Sequence, residues 1–242
     1  MTALLEIRGL HKSFGGLTAV NNISFSLEEG EIAGLLGPNG SGKTTTMNLI
    51  SGNLKPDNGS VVLRGKDITA SSPHLIARAG VARTFQLVRV IEDMTVSENI
   101  LSGVAFGRQP KWGGDAESEC DEILDRIGLR SQKDNLAGNL TYVNQKRLEL
   151  GRALSLHPDI LLLDEWLAGL NASELQEGIK LIRKLSHEGT TILMVEHVMS
   201  AIHSLCKKCI VMNSGEMIAH GLTKDVMNHP EVIRAYLGGS DA

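Results

Sequence analysis

Apolar residues along the chain fall into two patterns: short unbroken runs, and longer stretches in which they recur every three or four positions. These are the marks of strands and amphipathic helices. The strings "LLEIRGL" and "ISFSLEEGEIAGLLG" predict strands, and the glycine-rich turn after them should open into a helix that begins at Gly42 and runs through "KTTTMNLISG". "SVVLRGKDIT" predicts a further strand, "GVARTFQ" another, and "SENILSGVAFG" a helix. The polar, glycine-bearing string "GRQPKWGGDAESE" reads as a surface loop, and helical spacing then dominates from about Glu119 to Leu156. The strand "DILLLDE", a helix in "ASELQEGIKLIRKLSHEG" and the strand "TTILMVEH" follow. Near the end, "KCIVMNSGEMIAHG" predicts two strands joined by an "NSGE" turn, with a short helical tail beyond.

Leucine-rich and β-branched runs alternating with helices point to an α/β chain built on a parallel sheet covered on both faces, with the helix-rich middle inserted as a subdomain. At 242 residues and 42% hydrophobic, the chain buries a sizeable core as one domain. A net charge of −4 argues against a nucleic-acid binder with a broad basic face. No apolar run approaches the roughly 20 residues that span a bilayer. The start "MTALLEIRGLHKSF" carries charges where a signal peptide needs an apolar core, so the chain is expected in the cytosol. Three cysteines make no disulfide framework. Cys206 and Cys209 have C-x-x-C spacing, but His203 is the only further ligand nearby, so both read as packing residues.

Gly37, Pro38, Asn39, Gly40, Ser41, Gly42, Lys43 and Thr44 fit G-x-x-x-x-G-K-[ST], with an apolar strand before and a helical pattern after, the context a phosphate-binding loop requires. Its glycines let backbone N–H groups turn inward around phosphate oxygens, and the helix N-terminus adds its positive end. Lys43 should reach the β- and γ-phosphates, the Thr44 hydroxyl should ligate Mg2+, and Thr45 joins the nucleotide-binding set. Asp164 and Glu165 end the apolar run "ILLLDE", where the carboxyl ends of parallel strands face a ligand crevice. Asp164 should hold Mg2+ through its water shell, and Glu165 should orient or deprotonate an attacking water. A phosphate loop alone leaves kinases, GTPases, recombinases and transport ATPases open.

With "GPNGSGKTT", "RTFQ", "LTYVNQKRLELGRAL", "ILLLDE", "LAGLN" and "MVEH" in this order, the chain resembles the ATP-binding cassette ATPases over essentially its full length. More narrowly, "GVARTFQ", "MTVSENI", "AGLN", "VEHVM" and "EVIRAYLGG" resemble the cytosolic ATP-binding subunit of bacterial branched-chain amino-acid importers. The resemblance implies an α/β P-loop NTPase fold with a RecA-like parallel-sheet core, an antiparallel β subdomain and an inserted helical subdomain. The core with its β subdomain would take residues 1–86 and 157–242, and the helical subdomain residues 87–156. It further implies that Phe14 stacks on adenine, that Gln86 touches Mg2+ and the attacking water, and that His197 contacts the γ-phosphate. Asn171 matches the loop that crosses to a second ATPase.

The segment "LTYVN" departs from the family's usual Leu-Ser-Gly-Gly-Gln, which closes over ATP held by the partner cassette. Thr141 keeps a hydroxyl and Asn144 keeps an amide, whereas Val143 puts a β-branched residue in place of a glycine, where backbone approaches phosphate and where a conformation that valine resists is expected. Trp166 also replaces the usual proline after Glu165. The expectation is a live ATPase half that works best in an asymmetric dimer, with Mg2+ and ATP as cofactors, driving solute import through integral membrane permease subunits. It would lie on the inner face of the cell membrane and serve a periplasmic or extracellular solute-binding protein indirectly, with no role for nucleic acid. A regulatory or structural cassette with weak hydrolysis is the competing expectation, motivated by Val143. A cassette of DNA repair or translation would need added coiled coils or a second cassette.

Overall fold

The protein is described here by a computed structural model covering residues 3–69 and 71–237. Strands β1 (Leu5–Phe14) and β2 (Leu17–Leu27) alternate buried and exposed positions, so Leu5, Ile7, Leu10, Val20, Ile23, Phe25 and Leu27 share one inner face. β3 (Ile32–Leu36) is buried at every residue. α1 (Lys43–Ile50) starts directly after Gly42, as the pattern predicts. The string "SVVLRGKDIT" forms a hairpin instead of one strand: β4 (Asn58–Leu63) turns at Arg64 and Gly65, both at positive φ, into the short β5 (Lys66–Asp67). Arg64 is held in that turn by Asp159 at 3.0 Å and Glu29 at 2.9 Å, contacts too distant in sequence to read beforehand.

A helix missed in the sequence, α2 (Pro73–Ala79), precedes β6 (Val81–Arg83). Only these three residues of "GVARTFQ" form strand. α3 (Val96–Phe106) starts with a capping box between Thr95 and Glu98. The loop expected at residues 107–119 ends early, because α4 (Gly113–Ile127) starts inside it. Ala116, Cys120, Ile123, Leu124 and Ile127 bury one side of that helix, and its acidic residues mask the pattern at the start. Two short 3-10 turns then separate α4 from α5 (Tyr142–Leu154), within the stretch where helical spacing dominates. β7 (Ile160–Asp164), α6 (Ala172–His187) and β8 (Thr191–Val195) follow the pattern closely. α7 (Met199–Leu205) was not foreseen. β9 (Lys208–Asn213) and β10 (Glu216–Leu222) form the expected hairpin, with Ser214 and Gly215 at positive φ. α8 (Thr223–Val226) and α9 (Pro230–Leu237) close the described chain, and the two glycines of "EVIRAYLGG" lie outside the described residues.

The strands form two sheets. An antiparallel sheet runs β2-β1-β4-β5, and a six-stranded sheet runs β10-β9-β3-β8-β7-β6, parallel except for β10 at its edge. Alternate residues of the parallel strands feed two cores. Ala33, Leu35, Leu162, Leu193 and Ile210 pack toward α1 and the antiparallel sheet, while Ile32, Leu36, Leu161, Leu163, Ile192 and Met194 pack toward α3, α4, α5 and α6. Both faces are covered, which explains why these strands are apolar throughout. Cys206 and Cys209 are buried free thiols against Gly34, where an added Cβ would meet Cys209 Sγ at 3.2 Å. Among the described residues no helix is long and apolar enough to cross a membrane.

Candidate active site

The phosphate loop leaves β3 at Gly37 and enters α1 at Lys43. Two of its glycines are demanded by close packing. A Cβ on Gly37 (φ 144°) would stand 2.1 Å from Met212 O, and one on Gly42 (φ 104°) 2.3 Å from Ala19 O. The Lys43 ammonium is buried at the loop's centre and donates to the carbonyls of Gly37 at 2.8 Å and Pro38 at 2.9 Å. Burial lowers its pKa, against the pull of the Glu165 and Asp164 carboxylates. Ser41 Oγ is buried with no hydrogen-bond partner among the described residues. From the C-terminal helix α9, Tyr236 Oη accepts the Gly37 N–H at 2.9 Å.

The loop floors a cleft of about 690 Å3 lined by Phe14, Asn39, Lys43, Thr44, Gln86 and Glu165, a size suited to a small organic ligand. Phe14 is 47% exposed at its mouth and so is no core phenylalanine. Glu165 follows β7 in the left-handed region (φ 51°), and its N–H donates to Val195 O at 2.8 Å. One of its carboxylate oxygens accepts Gln86 Nε2–H at 3.1 Å and the other lies 3.0 Å from His197 Nε2. Three residues from separate segments thus converge on one edge of the phosphate-loop cleft. Asp164, at the buried end of β7, is paired through one oxygen with Arg83 at 2.7 Å. Its other oxygen and the Thr44 hydroxyl have no hydrogen-bond partner among the described residues, so both remain available as the hard oxygen donors a divalent cation prefers.

Thr141, Val143 and Asn144 do not line this cleft. Thr141 caps α5 by accepting Asn144 N–H at 3.4 Å, and Asn144 Nδ2 reaches Gln132 Oε1 at 3.3 Å. Val143 has ordinary helical backbone in the first turn of α5, which corrects the expectation of a conformation that valine resists. It lines a cleft of about 250 Å3 within its own chain that Trp166 also lines, so the two departures from the family pattern share one space. Trp166 is 3% exposed and donates from Nε1 to Lys146 O at 3.1 Å. Asn171 caps α6, its side-chain oxygen accepting the Ser173 and Glu174 N–H groups at 3.0 Å.

Four residues near the site were missed in the sequence: Arg83, Lys146, Glu149 and Glu196. Glu149 accepts the Phe85 and Arg89 N–H groups at 3.3 and 3.0 Å, holding the loop that carries Gln86, and burial pushes its pKa up. Glu196 is buried beside His197, accepts Leu167 N–H at 2.7 Å, and is pushed up to about 7 by burial. The one available signal was a charged residue inside an otherwise apolar register, as with Glu149 between Leu148 and Leu150.

A phosphate loop on a parallel sheet, facing a strand that ends in two carboxylates, defines a P-loop nucleotide-binding protein. Residues 20–168 match the model of the ABC transporter family, and residues 216–242 match that of the branched-chain amino acid ATP-binding cassette transporter. The chain is 43% identical to the high-affinity branched-chain amino acid transport ATP-binding protein LivG of Salmonella typhimurium, over 97% of this chain and 98% of that one. To BraF of Pseudomonas aeruginosa, a protein of the same description, it is 38% identical over 97% and 98%. The crystal structure of the ADP conformation of MJ1267, an ATP-binding cassette of an ABC transporter, superposes with a TM-score of 0.89 at 31% identity, over 98% of this chain and 100% of that one. The chain belongs to the ABC transporter ATP-binding family and has its P-loop ATPase fold. It is an ATPase subunit of the ABC transporter kind.

Proposed function

We propose that the chain hydrolyses ATP to drive import of branched-chain amino acids or related small solutes through separate permease subunits. The observation that carries the reading is the convergence of Gln86 and His197 on the Glu165 carboxylate at the edge of the phosphate-loop cleft. In this reading the loop from Gly37 to Thr45 cradles the phosphates, Lys43 leaves its carbonyl partners for the β- and γ-phosphates, and Phe14 stacks on adenine. Glu165 orients and deprotonates the attacking water, Gln86 holds that water from the other side, and His197 donates to the γ-phosphate oxygens. Thr44, Asp164 and Gln86 would hold Mg2+, which neutralises phosphate charge when bound. The core with its β subdomain spans residues 1–86 and 157–242, and residues 87–156 form the helical subdomain.

The working unit we propose is a pair of ATP-binding subunits on the inner face of the membrane, bound to integral permeases and served indirectly by a solute-binding protein. A different cassette is the preferred partner, because Val143 stands where the family pattern has glycine. The test is uptake of labelled leucine, isoleucine and valine into vesicles holding the chain with its permeases. ATP-dependent uptake that is lost in Glu165→Gln is the expected result, and ATP turnover with no uptake of any of the three overturns the substrate assignment.

A further inference from the structure

The turn that carries Glu165 is gripped from two sides by buried polar side chains from outside it. Lys146, on α5, is 3% exposed, and its ammonium donates to Trp166 O at 3.0 Å and Ala168 O at 2.7 Å and reaches Glu165 O at 3.4 Å. A lysine in that position is costly unless its protons are all used, and here all of them point at the carbonyls of one four-residue turn. From the opposite side, Glu196 accepts the Leu167 N–H at 2.7 Å. Trp166 returns a bond to the same helix, Nε1 to Lys146 O at 3.1 Å, so side chain and backbone cross-link the turn to α5. Within the turn, Ala168 N–H donates to Glu165 O at 3.1 Å. Glu165 itself sits at φ 51°, a conformation that is strained for a non-glycine residue and persists only where its surroundings impose it.

We propose that Lys146 and Glu196 are positioning residues for the hydrolytic carboxylate: a cation on the carbonyls and an acceptor on the amide of residues 165–168 fix the backbone that aims Glu165 between Gln86 and His197. Neither residue touches that carboxylate by hydrogen bond, so neither is catalytic. Trp166 is the third member of the device. It fills the space behind the turn and ties it to the helix on which Lys146 rides, which gives its ring a role that its place after Glu165 did not disclose. The pair also links two parts of the molecule, because α5 is capped by Thr141 and begins at Tyr142, and His197 follows Glu196 directly.

The proposal rests on the reading of Glu165 as the carboxylate of ATP hydrolysis, and the test separates the two. Full-length wild type, Lys146→Met, Lys146→Arg, Trp166→Phe and Glu165→Gln are compared for thermal midpoint, equilibrium ATP binding, and kcat and KM of hydrolysis. Lys146→Met should lose about tenfold or more in kcat while KM and ATP affinity stay within about twofold, since misaiming a reacting group slows the chemical step. Lys146→Arg, which restores a buried donor, should recover most of the rate. Trp166→Phe keeps an aromatic ring, though a smaller one, deletes the N–H bond to α5, and should lower kcat about threefold even if Lys146→Met does not fold. Unchanged kcat in folded Lys146→Met overturns the proposal, as does a loss of affinity and stability in step with kcat that arginine does not rescue. If Lys146→Met yields no folded protein, unchanged kcat in Trp166→Phe overturns it. Hydrolysis at the wild-type rate in Glu165→Gln overturns the underlying assignment of Glu165 instead.

Discussion

Arg83 and Asp164 show how much of the site depends on pairing that sequence does not display. Their side chains are 6% and 4% exposed, the guanidinium lies 2.7 Å from the carboxylate, and Asn48 and Ser51 take further guanidinium bonds at 2.6 and 3.2 Å. Removing one partner leaves the other charge buried alone, so Arg83→Met should destabilise the protein by about 3 kcal/mol or more, measured by urea unfolding. A change below about 1 kcal/mol would mean that water reaches Asp164 freely. Lys43, Thr44, Asp164 and Glu165 were legible because they fall in two short strings, "GPNGSGKT" and "ILLLDE", whose patterns carry their chemistry. Arg83, Lys146 and Glu196 were not, because a buried ion pair and a surface charge look alike until the fold brings positions 83 and 164, or 146 and 166, together.

Among the elements, α5 connects most of the site. Its first turn carries Thr141 and Val143, its middle carries Lys146 against the Glu165 turn, and Glu149 holds the loop of Gln86 while Arg152 bonds Arg89 O at 2.6 Å. The altered segment at its start therefore belongs to a helix anchored at several points. With Val143 turned into a cleft of its own chain, the backbone of the first turn is free of the strain expected from the sequence. The asymmetric-dimer reading leads to an expected rise of at least about threefold in the ATPase rate of the chain alone in Val143→Gly, since glycine restores the residue that the family pattern has in this turn. An unchanged rate would mean that "LTYVN" closes as it stands. Strong periodicity made β7, α6, β8 and the β9–β10 hairpin readable. α2, α7 and the start of α4 escaped because they are short or begin among polar residues, where tertiary burial decides the structure.

Across the whole molecule, one parallel sheet serves two cores, and the site lies at the carboxyl ends of its strands, where β3 and β7 deliver the phosphate loop and the two carboxylates. The α/β class and the covered sheet were visible in the alternation of apolar runs, whereas the split of strand residues between two cores required the topology. Buried charge in this interior also gives stability a pH signature. Glu196 is pushed up to about 7 from an ordinary 4.5, so between these values the folded state keeps a proton that the unfolded chain has released. Stability from this group therefore falls as pH rises through that window, by about 3 kcal/mol in all. Glu196→Gln cannot ionise and keeps an acceptor for Leu167 N–H. Its thermal midpoint relative to wild type should improve between about pH 5 and about pH 7.5, and a difference that stays constant over that range would contradict the linkage.

The central claim, that Glu165 is the carboxylate of hydrolysis in a cleft built to hold ATP, is tested most directly by comparing Glu165→Gln with wild type for ATP binding and for turnover at saturating ATP and Mg2+. Glu165→Gln is expected to bind ATP within about threefold of wild type and to turn it over about a hundredfold or more slowly. Turnover within about threefold of wild type, with binding intact, would contradict it.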